Sequence, residues 1–353
     1  MREYGSEHSA VILPDGYFES LKKYGREMTY LRTGREALLY AACNCKPGKD
    51  AVILCPAYSC WSMIAPFEYS GWTVVYYRLN SDLTVDEVYL EKILPVVKPD
   101  AILTMNFYGS ALTFSAVKVV KDFNEEITVI EDFSHCTFCL DCIYNELVDF
   151  YVTSIRKSIG VCDGALVLSK KPTNRHYIDA DAPDFGELRL GAQKMKGRYG
   201  VTKSLDDKDV FLAELRQGET MIDKLSGVHP ISKVSTLMLE TINGEEIAYA
   251  RRENMKHLWN LLQWEVKMIP GLERSFRGAP FSLPILVENR DEVQKQLSKK
   301  GVYAPVLWPI DEQARRVCAV SAYISDHMLS LPIDQRYDWD DMEDIARIVL
   351  ETL

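Results

Sequence analysis

The sequence predicts an α/β protein with a large three-layer αβα domain, built on a mostly parallel sheet, and a small C-terminal α+β domain. Short, continuously apolar segments alternate with helical segments in the first half of the chain, which is typical of parallel strands covered by helices. The chain has 353 residues, 47% of them hydrophobic and 26% charged. This is enough for one large domain and a smaller one.

The first predicted helix lies in LRTGREALLYAA, where Thr33-x-x-Glu36 forms a capping box ahead of an apolar-periodic stretch. Strands and helices then alternate, and Gly71 ends the second helix. The predicted strands are AVILCP (51–56), WTVVYYRL (72–79), AILTMN (101–106), ITVIED (127–132), 149–153 and 164–169. The predicted helices between them are SMIAPFEYS, DEVYLEKILPVV and LTFSAVKVVKDF.

The second half of the chain is less regular. The regular pattern fades over 172–224, and within this region DAPDFGELRLGAQKMKGRYG (181–200) is polar, Gly-rich and basic, which favours a mobile surface loop. A helical section at 231–264, interrupted near Gly244, precedes a tail of alternating strands and helices. The tail consists of FSLPILV (strand), RDEVQKQLSKK (helix), VYAPVLWP (strand), HMLSLPI (strand) and DWDDMEDIARIVLETL (helix). We therefore expect an N-terminal segment at 1–30, a large domain at 31–235 and a small domain at 236–353.

The charge and the cysteines exclude several classes of protein. A net charge of −10 and a pI near 5.3 argue against nucleic acid or an anionic membrane as the main partner. No apolar run is long enough to span a bilayer, and the apolar stretch near the N-terminus is too short for a signal peptide. Nine cysteines without a small-scaffold spacing indicate reduced thiols, and hence a cytoplasmic protein.

The spacing Cys136-x2-Cys139-x2-Cys142 is similar to part of an iron–sulfur ligand run. Such runs need a fourth cysteine nearby, and the next one along the chain is Cys162. We therefore interpret these residues as partly buried thiols beside a functional loop, and we expect no metal site.

Three positions follow strands or open helices where ligands of parallel sheets bind. Asp132 ends the strand ITVIED, Lys157 follows the strand at 149–153, and Thr33-Gly34-Arg35 opens the first helix. A helix start can hold a phosphate, a carboxylate can keep a pyridine nitrogen protonated, and a lysine can form an imine with an aldehyde. Together these are the groups that pyridoxal phosphate requires.

Each position also has a purely structural interpretation. Thr33 and Glu36 can simply cap a helix, and Asp132 can cap the segment after its strand. A lysine in a turn is usually solvated, and a single histidine such as His135 is usually hydrogen-bonded for structural reasons. The combination of the positions, in this order along the chain, favours the cofactor site.

With these residues in place, the sequence resembles the fold-type I, aspartate-aminotransferase-like enzymes that use pyridoxal phosphate. It is most similar to their sugar aminotransferase branch, the DegT/DnrJ/StrS family. The similar segments cover most of the chain, with a gap in the middle. They are RTGREAL (32–38), CPAYSCWSMIAPFEYSGWTVVYY (55–77), MNFYGSA (105–111), VIEDFSHC (129–136), TSIRKSIGVCDGAL (153–166), VYAPVLWP and LSLP.

The resemblance implies a role for each matching residue. Lys157 would form the imine with the cofactor, and Asp132 would pair with the pyridinium nitrogen. His135 would contact the ring oxygen, and either Tyr58 or Trp61 would stack on the ring. The phosphate would be bound by backbone N–H groups of Gly34 and Arg35, at the helix start that Thr33 caps, and by the hydroxyl of Ser154.

The resemblance also implies an activity and an assembly. It implies an aminotransferase that moves an amino group from glutamate to a nucleotide-linked keto-sugar, and that works as a homodimer on small molecules. In the family, a Gly-x-Asn-x-Arg-Met type stretch follows the lysine by roughly forty residues. Here that region is GRYGVTKSLDDKDVFLAELRQ, so the substrate half of the site differs.

Two alternatives remain open from the sequence. The first is a lyase, decarboxylase or transferase acting on an amino acid with the same cofactor, which the missing stretch favours. The second is a non-catalytic or cluster-binding regulatory protein on this scaffold. A basic group in the central region could meet a diphosphate, although a solvated loop face is the favoured interpretation. That group is Arg189, Lys194, Lys196 and Arg198.

Overall fold

The computed structural model describes residues 16–46, 50–175, 178–179, 185–223 and 225–353. Parts of the predicted N-terminal segment and of the predicted central loop lie outside these ranges. The described chain contains a seven-stranded sheet, a three-stranded sheet and the helices that surround them. In this part of the chain, no helix is both long and apolar enough to cross a bilayer.

The large sheet is mostly parallel and has the strand order β1-β7-β6-β5-β4-β2-β3. Strand β7 runs antiparallel to both of its neighbours, β6 and β1. The other neighbouring strands are parallel, so several strands end at the same edge of the sheet. The strands are β1 (Glu27–Leu31), β2 (Val52–Pro56), β3 (Thr73–Tyr77), β4 (Ala101–Met105), β5 (Thr128–Asp132), β6 (Phe150–Thr153) and β7 (Ala165–Ser169).

The helices of the first half connect these strands, as the sequence predicts. Their ends show the expected chemistry: Thr33 and Glu36 form the capping box of α2, and Asp86 caps α4 by accepting from the N–H of Tyr89. The helices are α1 (Tyr17–Ser20), α2 (Gly34–Cys45), α3 (Trp61–Tyr69), α4 (Glu87–Val97), α5 (Phe114–Phe123) and α6 (Leu140–Ile143).

The second half carries the small antiparallel sheet, in the order β10-β9-β8, and the remaining helices. Asp338 and Asp341 form a second capping box at the start of the last helix. The strands are β8 (Lys267–Met268), β9 (Ser282–Leu286) and β10 (Met328–Pro332). The helices are α7 (Phe185–Thr202), α8 (Leu205–Asp223), α9 (Lys233–Leu239), α10 (Gly244–Leu262), α11 (Arg290–Lys299), α12 (Glu312–Val317), α13 (Ala319–His327) and α14 (Trp339–Leu350).

The prediction of a mobile loop at 181–200 is wrong from Phe185 onwards, where α7 begins. Helices α7 and α8 occupy 185–223 and pack against each other as a helical hairpin. The buried face of α7 carries polar side chains, Arg189 and Gln193 among them. The apolar periodicity that signals an amphipathic helix is therefore absent from its sequence.

Two other expectations need correction. The segment VYAPVLWP (302–309) forms no strand, because Pro305 and Pro309 have no N–H to donate to a ladder. It is extended and accepts one bond from β10, between the Ser330 N–H and the Pro305 carbonyl (3.0 Å). The predicted N-terminal segment ends too late, because β1 begins at Glu27 and pairs with β7 at the sheet edge. Helices α12 and α13 were not predicted.

The hydrophobic core continues from the first half of the chain into the second. Buried apolar side chains form one continuous cluster that includes strands of both sheets. A second, small cluster of Ala192, Phe211 and Leu215 holds the two helices of the helical hairpin together. The carboxyl ends of β4, β5 and β6 therefore face the C-terminal part of the chain.

Candidate active site

The start of α2 lies against the turn that follows β6. A Cβ atom added to Gly34 would lie only 3.0 Å from the Cβ of Ser154, so a larger residue would push Ser154 away by a few tenths of an ångström. The Thr33 hydroxyl accepts from the Glu36 N–H (3.3 Å), which leaves the N–H groups of Gly34 and Arg35 without an acceptor among the described residues. Such N–H groups at a helix start bind anions.

A chain of hydrogen bonds connects this helix start to the end of β5. The Ser154 N–H donates to the Oγ of Ser134 (2.9 Å), and the Ser134 N–H donates to Oδ1 of Asp132 (2.8 Å). The Ser154 hydroxyl itself has no hydrogen-bond partner among the described residues. The structure thus brings the predicted phosphate residues and the predicted acid into one continuous site.

Asp132 is a buried carboxylate with only 5% exposure. Burial raises the pKa of its side chain, although the positive charge of Lys157 and the hydrogen bonds from Ser134 oppose that rise. Its carboxylate forms no ion pair with any described residue. The bond from the Ser134 N–H shows that Asp132 does cap the segment after its strand, as the structural interpretation suggests, yet its charge has no paired cation in this part of the chain.

Lys157 ends a short 3-10 turn, Ile155–Lys157, directly after β6. Its ammonium group has neither an ion pair nor a hydrogen bond to any described residue. It nevertheless lies close enough to act electrostatically on both Asp132 and His135. The amine and the acid therefore approach each other without closing into a salt bridge.

His135 lies in an aromatic cluster at the same edge. Its ring stacks on Phe281, with centroids 5.0 Å apart and an interplanar angle of 9°, and it also contacts Tyr108 (4.8 Å) and Trp308 (5.2 Å). Burial lowers its pKa well below the usual value, and the charge of Lys157 lowers it further. His135 is thus a neutral imidazole, and no residue that the structure describes forms a hydrogen bond with its buried Nδ1.

Both side-chain polar atoms of Asn106, next to this cluster, lack partners among the described residues. The hydroxyl groups of Tyr58 and Tyr108 lie close enough to interact with each other. The Asn106 N–H donates to the Asp132 carbonyl (3.1 Å), which places this residue beside the acid. Because buried polar atoms normally have partners, such a concentration indicates a place prepared for a ligand.

The two candidate stacking residues differ in position. Tyr58 is fully buried, with its ring 5.7 Å from Phe107 and 5.6 Å from Trp308, so it belongs to the aromatic cluster of His135. Trp61 is 58% exposed and lies 5.7 Å from the guanidinium group of Arg35. Only Tyr58 shares the surroundings of His135.

The arginine side chains near the helix start bind the helical hairpin. Arg35 donates to the Ile222 carbonyl (2.6 Å) and pairs with Asp223 (2.9 Å). Arg156 and Arg189 both pair with Glu219, at 2.8 Å and 2.7 Å.

This arrangement corrects the expectation for the central basic residues. Arg189 is buried in its ion pair, Arg198 pairs with Asp207, and Lys196 is only 9% exposed. Lys194 and Arg198 are both exposed on the surface. They form neither a solvated loop face nor a joint diphosphate patch, because α7 directs them to different partners.

The three closely spaced cysteines lie next to His135. Cys136 and Cys139 are buried, whereas Cys142 is exposed and its Sγ contacts the Arg277 carbonyl (3.2 Å). Burial raises the pKa of the Cys136 and Cys142 thiols. Within the described ranges there is no group of three or more Cys, His, Asp or Glu residues arranged to hold a metal ion.

Several site residues were missed from the sequence. Asn106 follows β4 at the same edge, so the rule that identified Asp132 after β5 and Lys157 after β6 could have identified it too. Phe281 and Trp308 could not have been identified in this way, because they come from the C-terminal part of the chain and meet His135 only in the fold.

A comparison with protein-family models found no match, and a comparison with curated protein sequences found none either. A comparison with solved structures found many similar chains. One is PseC from Helicobacter pylori, an aminotransferase involved in the biosynthesis of pseudoaminic acid, with a TM-score of 0.68, 15% identity and coverage of 99% of both chains.

Two other similar structures describe the same fold. A DegT DnrJ EryC1 StrS aminotransferase from Brucella abortus has a TM-score of 0.67 and 15% identity, covering 94% of this chain and 88% of its own. NtdA from Bacillus subtilis, with bound cofactor PMP, has a TM-score of 0.62 and 14% identity, covering 97% of this chain and 78% of its own. These similarities confirm the predicted fold class: the chain has the fold of these aminotransferases.

Proposed function

We propose that this protein is a pyridoxal-phosphate-dependent aminotransferase that transfers an amino group from glutamate to a keto-sugar. One observation carries the proposal. The charge of Lys157 acts on a buried carboxylate, Asp132, and on a neutral histidine, His135, without closing an ion pair. The fold of the similar aminotransferases supports the same conclusion.

The residues present fit the phosphate end of this cofactor. The free N–H groups of Gly34 and Arg35 and the unpartnered hydroxyl of Ser154 lie together where α2 begins. The absence of a side chain on Gly34 keeps the backbone accessible at this point. The helix dipole adds a favourable interaction with a phosphate at the same place.

The residues present also fit the ring end. When bound, the cofactor supplies an electron-accepting ring, provided that its pyridine nitrogen is protonated. The raised pKa of Asp132 means that this buried carboxylate is disfavoured as an isolated charge. A protonated ring nitrogen would supply the positive partner that the carboxylate lacks, so Asp132 would hold the proton on that nitrogen.

Lys157 has the freedom that its proposed role needs. We assign it two tasks: to bind the cofactor covalently through Nζ, and to carry a proton to and from the substrate carbon at the same atom. Since no described residue accepts a hydrogen bond from its ammonium group, nothing in this part of the chain must be broken before it reacts.

The neutral His135 and the buried Tyr58 complete the proposed cofactor contacts. His135 offers a ring nitrogen without a partner, which suits a hydrogen bond to the ring oxygen. Tyr58 lies in the same aromatic cluster, so we propose Tyr58 rather than Trp61 as the stacking residue. Trp61 remains a large apolar side chain at the surface beside Arg35.

The exposed Trp61 supports the proposal of a homodimer, because a second subunit could cover this edge of the site. We also propose a boundary near residue 235 between a large domain, which includes β1, and a small domain, 236–353, since the two sheets lie on either side of that boundary. The nine free thiols support a cytoplasmic location.

The keto-sugar substrate rests on the activities of the similar structures and on the mixed character of the site. Aromatic rings from Phe281 and Trp308 adjoin uncharged hydrogen-bonding groups on Asn106 and Tyr108. The basic residues expected to bind a diphosphate are engaged elsewhere or dispersed. The nucleotide-linked form of the sugar therefore has no support from these side chains.

The deciding experiment locates the covalent link. Purified protein is loaded with pyridoxal phosphate, reduced with borohydride and digested, and the modified lysine is identified by mass spectrometry. We expect the label on Lys157. Lys157→Ala should abolish both the label and the imine absorbance band but leave a folded protein that still binds the cofactor. Lys118→Ala, an exposed lysine on α5, should leave both unchanged. Label on another lysine would end the assignment.

A second measurement separates an aminotransferase from the alternatives that use the same cofactor. Glutamate added to the loaded protein, without an acceptor, should bleach the absorbance band and release one equivalent of 2-oxoglutarate. A lyase or decarboxylase would leave the cofactor in its aldehyde form after turnover. A colourless protein that binds no cofactor would support a regulatory role instead.

A further inference from the structure

The turn that carries Lys157 is held from the C-terminal part of the chain. The carbonyl of Ser158, the next residue, accepts two hydrogen bonds. One comes from Nη2 of Arg251 on α10 (2.9 Å), and the other comes from Nε2 of Gln335 after β10 (3.0 Å). Two donors on the carbonyl next to the reactive lysine restrict how that peptide can rotate.

Arg251 is a buried cation that serves backbone carbonyls. It is 1% exposed, and its Nη1 donates to the carbonyls of Pro280 (3.2 Å) and Phe281 (3.1 Å). Its Nε donates to Oε1 of Gln335 (2.9 Å), so the two side chains form one unit. Burial lowers the pKa of Arg251 to about 10, and it is therefore charged at neutral pH.

Among the described residues, no acidic side chain contacts the buried guanidinium group of Arg251 directly. Asp334, the acid that influences Arg251, forms its own pair with Arg336 at 2.6 Å. A buried guanidinium that binds only neutral acceptors is costly in free energy. Uncharged side chains could connect these segments at a lower free-energy cost of burial. The presence of arginine therefore points to a role for the geometry that the rigid guanidinium group imposes.

Both segments held by Arg251 are walls of the proposed site. Ser158 directly follows Lys157, and its hydroxyl donates to the Thr137 hydroxyl (3.3 Å) on the other side of the turn. Phe281 stacks on His135, and its N–H donates to the His135 carbonyl (3.0 Å). One side chain therefore sets the position of the lysine turn and of the ring against which His135 packs.

The same helix offers a natural comparison. Asn254, one turn further along α10, is also buried and donates to three backbone carbonyls. These carbonyls belong to Ile333, Asp334 and Tyr337, and none of these residues is part of the turn that carries Lys157. Asn254 thus secures α10 to the C-terminal segment without touching the lysine turn.

We propose that Arg251 and Gln335 are positioning residues that fix the Lys157 turn, through the Ser158 carbonyl, in the geometry needed for proton transfer. The inference rests on the proposed function, and it assigns a role to two residues outside the cofactor contacts. Neither residue touches the reacting atoms. Their effect should therefore appear in the rate of the chemical step rather than in substrate binding.

The test compares four variants: Gln335→Leu, Arg251→Lys, Arg251→Met and the control Asn254→Leu. In cofactor-free protein, hydrogen–deuterium exchange should be faster in the peptide covering 155–164 for the first three variants and unchanged for the control. In the loaded protein, we expect kcat to fall about 10-fold for Gln335→Leu and about 100-fold for Arg251→Lys, with KM for glutamate within twofold of wild type.

A spectroscopic measurement separates positioning from general stability. The absorbance band of the imine at Lys157 changes with pH, and the midpoint of that change can be measured. This midpoint should shift in Gln335→Leu and Arg251→Lys but not in Asn254→Leu, even if all three variants have a lower Tm. If Arg251→Met does not fold, Gln335→Leu and Arg251→Lys still decide the question. Equal kcat, equal midpoint and equal exchange in Gln335→Leu and wild type would overturn the proposal.

The outcome is distinguishable from a failure of the proposed function. Borohydride label on a lysine other than Lys157 in the wild type would reject the function, and this inference with it. Label on Lys157, together with unchanged kinetics in Gln335→Leu and Arg251→Lys, would reject the positioning role alone.

Discussion

The edge of the large sheet and the helical hairpin both bury polar side chains, but they differ in how their charges are paired. At the sheet edge, Lys157 and Asp132 form no ion pair with any described residue, and Asn106 and His135 have buried polar atoms without partners among the described residues. In the helical hairpin, Glu219 binds Arg156 and Arg189 in ion pairs of 2.8 Å and 2.7 Å, although Oε1 of Gln193 there also lacks a partner among the described residues. The charged groups are paired in the helical hairpin and remain separate at the sheet edge.

The difference teaches how to tell a binding site from a structural network in the same molecule. Unpaired buried polar groups destabilise a fold, so they are expected mainly where a bound ligand forms the missing hydrogen bonds. Charged groups that satisfy one another need no ligand. The sequence favoured a solvated loop position for Arg189 over a diphosphate contact, whereas its ion pair indicates a structural role.

The largest expected effect tests the sheet edge through Asp132. Asp132→Asn cannot hold a proton on a ring nitrogen, so kcat should fall by about 10³-fold while borohydride still labels Lys157. The matched control is Glu131→Gln, which alters the neighbouring buried carboxylate on β5. Glu131 bonds to Thr113 (2.6 Å), away from Lys157, and its substitution should leave kcat within twofold. Equal losses in the two variants would show that the sheet edge has no special role for Asp132.

The second prediction concerns how far ionised Glu131 lowers the free energy of unfolding. Burial raises its pKa from 4.5 to about 7, although hydrogen bonds from Thr113 and Thr104 oppose the rise. The folded state thus binds this proton more tightly than the unfolded state, and stability falls as the pH rises from about 4.5 to 7. A shift of this size corresponds to about 3 kcal/mol.

Glu131→Gln removes that titration. The free energy of unfolding, measured by urea denaturation, should exceed the wild-type value by about 2–3 kcal/mol at pH 8 and match it at pH 4. Glu125→Gln, an exposed residue near the start of β5, is the control and should change neither value. A constant difference at all pH values would mean that packing, rather than ionisation, separates the two proteins.

The smallest effect tests the helical hairpin. Burial would raise the pKa of Glu219, but Arg156 and Arg189 hold it below its usual value. The ionised form therefore stabilises the fold above the unfolded pKa, and this contribution is lost as the pH falls through the lowered value. Glu219→Gln should lower the free energy of unfolding by about 1–2 kcal/mol at pH 7, and the difference should disappear at low pH.

The same variant sharpens the comparison between the two regions. Because the ion pairs of Glu219 are structural, kcat should remain within twofold of wild type and Lys157 should still be labelled. Asp209→Asn, an exposed acid on the same helix, is the control for general charge effects. A loss of activity in Glu219→Gln without a loss of stability would assign the helical hairpin to the site.

The sequence determined the features that arise from contacts close along the chain. The alternation of strands and helices follows from apolar periodicity, and the start of α2 follows from the capping box of Thr33 and Glu36. The candidates Asp132 and Lys157 were identified because polar residues at strand ends share one edge of a parallel sheet.

The tertiary structure decided what depends on partners far apart in sequence. Arg189 is buried in α7 because Glu219 on α8 meets it, and such a face carries no apolar pattern to reveal the helix. Arg251 reaches a carbonyl 93 residues away, next to Lys157. The physical reason is that propensity and periodicity act over a few residues, whereas a buried charge is tolerated only when distant groups happen to converge on it.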